Sequence, residues 1–297
     1  MKAENRLSVA VLGAGLIGVD LAARVGRSDV LDCKLVVGRA DNSQGLRQAR
    51  SLGIATAAEG IDSLVDFRGP LDLVFDASNA VSHAEHAARL GPLDIMVVDL
   101  TPSRVGHMIA PTVNGADVSS HRNISMVTCG GQVAIPILYR VAQGHQVDYV
   151  EVVTTAASLS VGHSTRLNLD EYIYTTQAAI RAFTGIDTVK AMLNLSPARP
   201  PSTFRVAMSL IGPKLTEIAI RRSVDLAVHE IQTFASGVRL AAFSVDGNRT
   251  FISIEVAAVG GRIPTYAGNL DIINSAAIRV AEGYAALRNS IAGAEGP

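Results

Sequence analysis

The chain has 297 residues, 48% hydrophobic and 18% charged, which is enough apolar material for two domains with real cores and too much for a disordered chain. A formal net charge of −1 and only 4% aromatic residues exclude a general nucleic-acid binder, which needs a basic surplus and stacking rings. Two cysteines are too few for a disulfide framework, no apolar run reaches bilayer length, and the first residues lack the apolar core of a signal peptide, so a cytoplasmic protein without a membrane role is expected.

Leu7–Leu12 reads as an apolar strand that opens at once into Gly13-Ala14-Gly15-Leu16-Ile17-Gly18 and then a helical pattern over 19–26. G-x-G-x-x-G between a strand and a helix predicts dinucleotide binding. Gly13 permits the tight turn, Gly15 lets backbone approach a pyrophosphate, and Gly18 lets helix and strand pack closely. The phosphates would sit at the helix N-terminus. A second strand is expected over 34–37, ending in Gly38-Arg39-Ala40-Asp41. An NAD-binding fold places an acidic residue there for the ribose hydroxyls. Here Arg39 stands at the strand end, either holding a 2′-phosphate with Ser43, which predicts NADP tolerance, or lying over the adenine or in solvent.

Helices are expected over 44–52, 59–65 and 80–90, and strands over 71–75 and 95–98. This alternation predicts a parallel sheet wound on both faces. Asp76-Ala-Ser-Asn79 and Asp99-Leu-Thr-Pro102 fall at strand ends, where ligands bind in such sheets. Taken singly, Asp76 and Asp99 read as turn caps.

An apolar segment at 124–127 then runs into Cys129, followed by Gly130, Gly131 and a helical pattern over 133–142. A cysteine at a helix start faces backbone N–H groups that favour thiolate, the reactive species. The two glycines clear the approach, so that a substrate carbonyl reaches the sulfur and the nearby N–H groups together. The alternative is a buried cysteine packed as a small apolar residue. Beyond it, strands are expected over 147–158, 189–195, 203–210, 238–245 and 250–259, with helices over 167–183 and 215–234. They predict an antiparallel or mixed sheet with helices on one face, of the kind that forms subunit interfaces. Ser160-Val161-Gly162-His163-Ser164-Thr165-Arg166 reads as a small-residue loop. A last helix is expected over 267–287, with Asn269 as N-cap and a frayed tail over 292–297. The cysteines and seven histidines show no metal-ligand spacing, which disfavours a zinc dehydrogenase.

Gly13-Ala-Gly-Leu-Ile-Gly18, Asp99-Leu-Thr-Pro102, Met126-Val-Thr-Cys-Gly-Gly-Gln132, Ser164-Thr-Arg166 with Asn168 and Asp170-Glu171, and Ala267-Gly-Asn-Leu-Asp271 together resemble the acylating (CoA-dependent) acetaldehyde dehydrogenases, in that order and over nearly the whole chain. The resemblance implies an α/β protein. A Rossmann-type parallel-sheet dinucleotide domain would occupy 1–128, an α+β catalytic and dimerisation domain 129–266, and a C-terminal helix at 267–297 would return to the first domain. Cys129 matches the family nucleophile. The family's cofactor positions match Ala14 to Ile17, then Ser160, Val161, Gly162, His163, Ser164, Thr165, Arg166, Leu167 and Asn168, and finally Asn269. The family oxidises acetaldehyde or propanal with NAD and passes the acyl group to coenzyme A. Its usual partner is a 4-hydroxy-2-oxovalerate aldolase of aromatic meta-cleavage degradation, in an assembly built on homodimers. Three departures stand out: His163 replaces a proline and either reaches cofactor phosphate or is a solvated loop residue, Val206 replaces an acid, and Arg39-Ala40 replaces Ile-Asp. A semialdehyde or phosphorylating dehydrogenase of similar architecture, or a non-catalytic dinucleotide-binding regulator, is the alternative reading.

Overall fold

A computed structural model of the chain describes residues 6–213, 215–260 and 262–294, apart from the side chains of His163, Ser164 and residues 291–294. The described chain forms two compact units, one running to Met126 and resuming at Ala277, the other spanning Val127–Ala276.

The first unit holds β1 (Leu7–Leu12), α1 (Leu16–Val25), β2 (Leu31–Val37), α2 (Gln44–Ser51), β3 (Thr56–Ala57), α3 (Asp62–Val65), β4 (Leu73–Asp76), α4 (Ala80–Leu90), β5 (Met96–Asp99), β6 (His107–Ile109), α5 (Pro111–Asn114) and β7 (Asn123–Met126). Its seven strands are all parallel, in the order β3-β2-β1-β4-β5-β7-β6. All of β1, β4 and β5 is buried, as a parallel sheet covered on both faces requires. One core layer packs Ala10, Leu12, Leu35, Val37, Val74 and Val97 against Ile61, Leu64 and Leu90. The strand order reverses between β1 and β4, so their C-terminal ends border the crevice where such folds take ligands. The expected alternation is present, and β3, β6 and α5 are additions. Each is two to four residues long, too short for periodicity to register.

The second unit holds α6 (Cys129–Gly144), β8 (Tyr149–Ala157), α7 (His163–Leu167), α8 (Leu169–Thr184), β9 (Thr188–Ser196), β10 (Phe204–Ile211), α9 (Glu217–Gln232), β11 (Val238–Asp246) and β12 (Arg249–Val256). The sheet is mixed, in the order β11-β12-β10-β8-β9, with only β8 and β9 parallel. Alternate residues Val150, Val152 and Thr154 of β8 and Phe204, Val206 and Met208 of β10 are buried on the helix-covered face. The other face keeps apolar groups in the open, Met192 at 44% exposure and Phe251 at 40%. The expected loop over 160–166 is in part the short helix α7.

The final helix, α10 (Gly268–Ala294), outruns the expected end at 287, and residues 295–297 lie outside the described ones. Within the first unit its later part packs by Ala277, Ala281 and Tyr284, bonds Arg122 through the Tyr284 hydroxyl at 2.6 Å, and pairs Arg288 with Asp72 at 2.5 Å.

Candidate active site

The turn from β1 to α1 behaves as its glycines predict. Gly13 takes φ +112°, and a Cβ there would meet the Ala77 carbonyl oxygen at 2.6 Å, because the chain leaving β4 crosses directly behind it. A Cβ on Gly18 would fall 1.8 Å from the Gly13 carbonyl oxygen. Gly15 is different: a Cβ there meets nothing within 4 Å. It is also the N-cap of α1, where a glycine brings no side-chain cap. Leu16, next in line, is 59% exposed. This is a cradle that an anion's oxygens would fill, so the residues present fit a dinucleotide pyrophosphate.

At the end of β2, Arg39 is exposed and makes no ion pair among the described residues. Asp41, the displaced acid, is engaged by Arg50. Ser43 caps α2 by accepting from Leu46 N–H at 3.3 Å. Gly45 lets that helix start against Ala14, whose carbonyl oxygen leaves no room for a Cβ.

The ends of β4 and β5 hold a polar cluster that spacing did not disclose. Asp76 and Asp99 do cap their turns, accepting from Ser78 N–H at 3.0 Å and Thr101 N–H at 2.7 Å. Both are fully buried, and both also face histidines of α4. His83 Nδ1 lies 2.9 Å from Asp76 and 3.5 Å from Asp99, and His86 Nδ1 lies 2.8 Å from Asp76. Burial would raise the Asp76 carboxyl, but hydrogen bonds from His83, His86 and Ser78 outweigh it and hold the group well below its ordinary value. Burial pushes Asp99 up to about 6 against the pull of His83, Ser103 and Thr101. Burial lowers His83, but Asp76 and Asp99 more than restore it, so its pKa ends raised. Asp76, His83 and Asp99 have the donor types of a metal site and lie within 4.8 Å of one another. Their atoms are already committed to hydrogen bonds, and the cluster is an internal network fixing the loops after β4 and β5.

In the second unit, Cys129 is the first residue of α6; the residue as a whole is partly exposed, while its thiol sits in a desolvated setting. The expected ease of ionisation is reversed in the free chain. Burial pushes the thiol above its ordinary value, and hydrogen bonds from Tyr172, Gly130 N–H and its own N–H offset only part of that. The glycines also differ from expectation. A Cβ on Gly130 would meet the Thr154 hydroxyl at 2.2 Å and the Tyr172 hydroxyl at 2.7 Å, so this glycine makes room for side chains of the protein itself. Gly130 N–H donates to Tyr172 Oη at 3.0 Å and Gly131 N–H to Thr128 Oγ1 at 3.1 Å. Both are therefore committed, where free oxyanion donors were expected.

Tyr172 is the residue that sequence reasoning missed. Its hydroxyl lies 3.5 Å from Cys129 Sγ. The available signal was a buried face of α8 carrying Tyr172 and Thr176 one turn apart.

Of the remaining expected cofactor residues, Ser160 and Asn269 come together: Asn269 Nδ2 donates to the Ser160 carbonyl at 2.9 Å. Asn269 is thus not the N-cap. The Ala267 carbonyl takes the first bond of α10, from Leu270 N–H at 3.0 Å. Asn269 Oδ1 is buried with no partner, an acceptor left for a ligand or water. Val161 and Asn168 are buried, Thr165 is half-buried, and Gly162 and Leu167 are exposed. Arg166 spends its guanidinium on the Ser158 carbonyl at 2.6 Å and the Val161 carbonyl at 3.3 Å, bracing the segment rather than reaching outward. The side chains of His163 and Ser164 lie outside the described residues.

Residues 129–264 match the family described as prokaryotic acetaldehyde dehydrogenase, dimerisation. An acetaldehyde dehydrogenase of Streptomyces griseus is 47% identical over 94% of this chain and 90% of its own length. The chain belongs to the acetaldehyde dehydrogenase family. A second such enzyme, from Pectobacterium atrosepticum, is 40% identical over 96% of this chain and 98% of its own. Among solved structures, aspartate semialdehyde dehydrogenase II of Vibrio cholerae superposes with a TM-score of 0.67 over 94% of this chain and 98% of its own, at 11% identity, which is a likeness of fold. As a member of the acetaldehyde dehydrogenase family the chain is an oxidoreductase, and Cys129 opens the matched segment. Among the described residues, no helix is long and apolar enough to cross a membrane.

Proposed function

We propose that the protein is a CoA-acylating aldehyde dehydrogenase that converts a short aldehyde, acetaldehyde or propanal, with coenzyme A and NAD(P) into acyl-CoA and NAD(P)H. The observation that carries this reading is a partly exposed cysteine at a helix start, held beside a tyrosine hydroxyl, in a chain whose first strand ends in an open glycine cradle. The nicotinamide cofactor, when bound, supplies the two-electron acceptor. Gly13 to Gly18 would hold its pyrophosphate, and Arg39 would offer a cation to a 2′-phosphate; Asn269 Oδ1 is a buried acceptor without a partner.

The protein's own steps follow from thiol chemistry. Cys129 loses its proton, and its sulfur bonds the aldehyde carbon to give a thiohemiacetal. Loss of hydride and of the hydroxyl proton leaves a thioester on Cys129. The thiol of coenzyme A attacks that carbon, the Cys129 sulfur leaves, and acyl-CoA departs. A covalent nucleophile divides one difficult transfer into two accessible ones.

The proposal extends to assembly. Met192 and Phe251, on the open face of the mixed sheet, suit a homodimer interface within a larger assembly. A 4-hydroxy-2-oxovalerate aldolase of aromatic meta-cleavage degradation is the expected source of the aldehyde, and two free cysteines suit the cytoplasm. The test is a reduced-nucleotide assay with acetaldehyde and propanal, NAD against NADP, and coenzyme A against phosphate. Product that requires coenzyme A supports the proposal. Turnover with phosphate in its place, or none with any combination, overturns it.

A further inference from the structure

We propose that the Tyr172 hydroxyl is a catalytic group of this site: it hydrogen-bonds the Cys129 sulfur and stabilises the thiolate from which reaction begins. The inference rests on the reading of Cys129 as nucleophile and adds a residue to it.

Three observations carry it. The first is position. Tyr172 Oη lies 3.5 Å from Cys129 Sγ and also accepts Gly130 N–H at 3.0 Å. A hydroxyl that accepts from a helix-start N–H is polarised into a better donor, and its proton is left to point at a neighbour. That neighbour is the sulfur, since the Thr154 hydroxyl acts on the tyrosine oxygen as a donor. When the sulfur ionises, the charged acceptor takes the proton's hydrogen bond, since bonds to charged groups are the stronger ones.

The second is rigidity. Gly131 N–H donates to Thr128 Oγ1, Thr128 and Thr176 share a hydrogen bond at 2.7 Å, and Thr176 donates to the Tyr172 carbonyl at 2.8 Å. This relay ties the start of α6 to the turn of α8 that carries Tyr172. The ring is 5% exposed, so the hydroxyl cannot swing away.

The third is that, among the described residues, no other side chain helps. Burial raises the thiol, and the groups that oppose it are Tyr172 and two backbone N–H groups, with no charged side chain among them. Val206, in the place where the resemblance leads one to expect an acid, is fully buried and pairs across the sheet with Thr154. The tyrosine hydroxyl is the side chain that lowers the cost of ionising this sulfur.

The experiment is the pH dependence of Cys129 alkylation by iodoacetamide, read by mass spectrometry on the Cys129 peptide so that Cys33 does not count. It needs no aldehyde, coenzyme A or nucleotide, so failure of the proposed reaction and failure of this inference are separate results. Tyr172→Phe removes the hydroxyl and keeps the ring. A hydrogen bond to a charged group predicts that its midpoint rises by about one pH unit or more. After the gain in intrinsic nucleophilicity, alkylation at neutral pH then slows about three- to fourfold per unit. Where Tyr172→Phe does not fold, a chain grown with fluorotyrosine at its six tyrosines keeps the shape and strengthens the donor, and its midpoint moves down. A midpoint unchanged or lowered in Tyr172→Phe, or unchanged in the fluorotyrosine chain, overturns the proposal.

Discussion

Gly15 and Gly18 stand three residues apart in one motif and are predicted to respond to the same substitution in opposite ways. At Gly18 an added Cβ lands 1.8 Å from a backbone oxygen of Gly13, and no flexible side chain is there to yield. Overpacking against backbone costs about 3 kcal/mol, which for a unit of this size lowers the melting temperature by about 6–12 °C. At Gly15 the added Cβ meets nothing within 4 Å, and φ −81° with ψ −170° is a conformation alanine adopts freely. The poorer cap and the reduced freedom of the unfolded chain offset each other, so Gly15→Ala is expected to melt within about 2 °C of the parent. Its methyl group instead occupies the space an anion would use, and nucleotide affinity falls about tenfold or more, about 1.4 kcal/mol. Calorimetric melting and NADH titration of both variants and the parent make the comparison. Gly15→Ala binding nucleotide like the parent, or Gly18→Ala melting like it, would refute the division of labour read from these glycines.

Cys129→Ser is expected to abolish acyl transfer while leaving nucleotide affinity within twofold, since serine is a far weaker unassisted nucleophile; stopped turnover with lost binding would point to misfolding instead. Asp99 titrates near 3.8 when unfolded and at about 6 when folded, so the folded chain holds that proton more tightly. Its stability contribution is full below pH 3.8 and lost as pH rises through 6, about 3 kcal/mol in all, and the raised His83 acts in the same direction. Denaturant midpoints of parent and Asp99→Asn between about pH 4 and about pH 7.5 check this, with a shallower slope expected for the variant. Arg39→Ala is expected to weaken NADP about tenfold and leave NAD within about twofold; equal losses for the two would remove the 2′-phosphate role.

Local signals carried much of the fold. The glycine turn was legible because its spacing falls between one strand and one helix, although the Ala77 carbonyl behind Gly13 comes from the end of β4, and α4 has the bounds its periodicity predicts, Ala80–Leu90. The turn-capping roles of Asp76 and Asp99 were also legible, because their N–H donors lie two residues away. What escaped was non-local. His83 and His86 look like the polar face of a helix until β4 brings Asp76 beneath them. Tyr172 looks like a core ring until α6, 43 residues earlier, sets a sulfur against its hydroxyl. Asn269 read as a cap, and its actual acceptor is 109 residues away. The ease of ionising Cys129 differs from expectation for a related reason: a helix start is visible in sequence, whereas the desolvation that outweighs it depends on what packs around the sulfur.

The last helix belongs in part to each unit, with its opening residues through Ala276 in one and Ala277 onward in the other. On the ribosome, the all-parallel sheet made first must therefore wait for the final stretch of polypeptide before Arg122 and Asp72 find Tyr284 and Arg288. The portion synthesised in between has its full set of strands and helices earlier and is free to fold ahead of it.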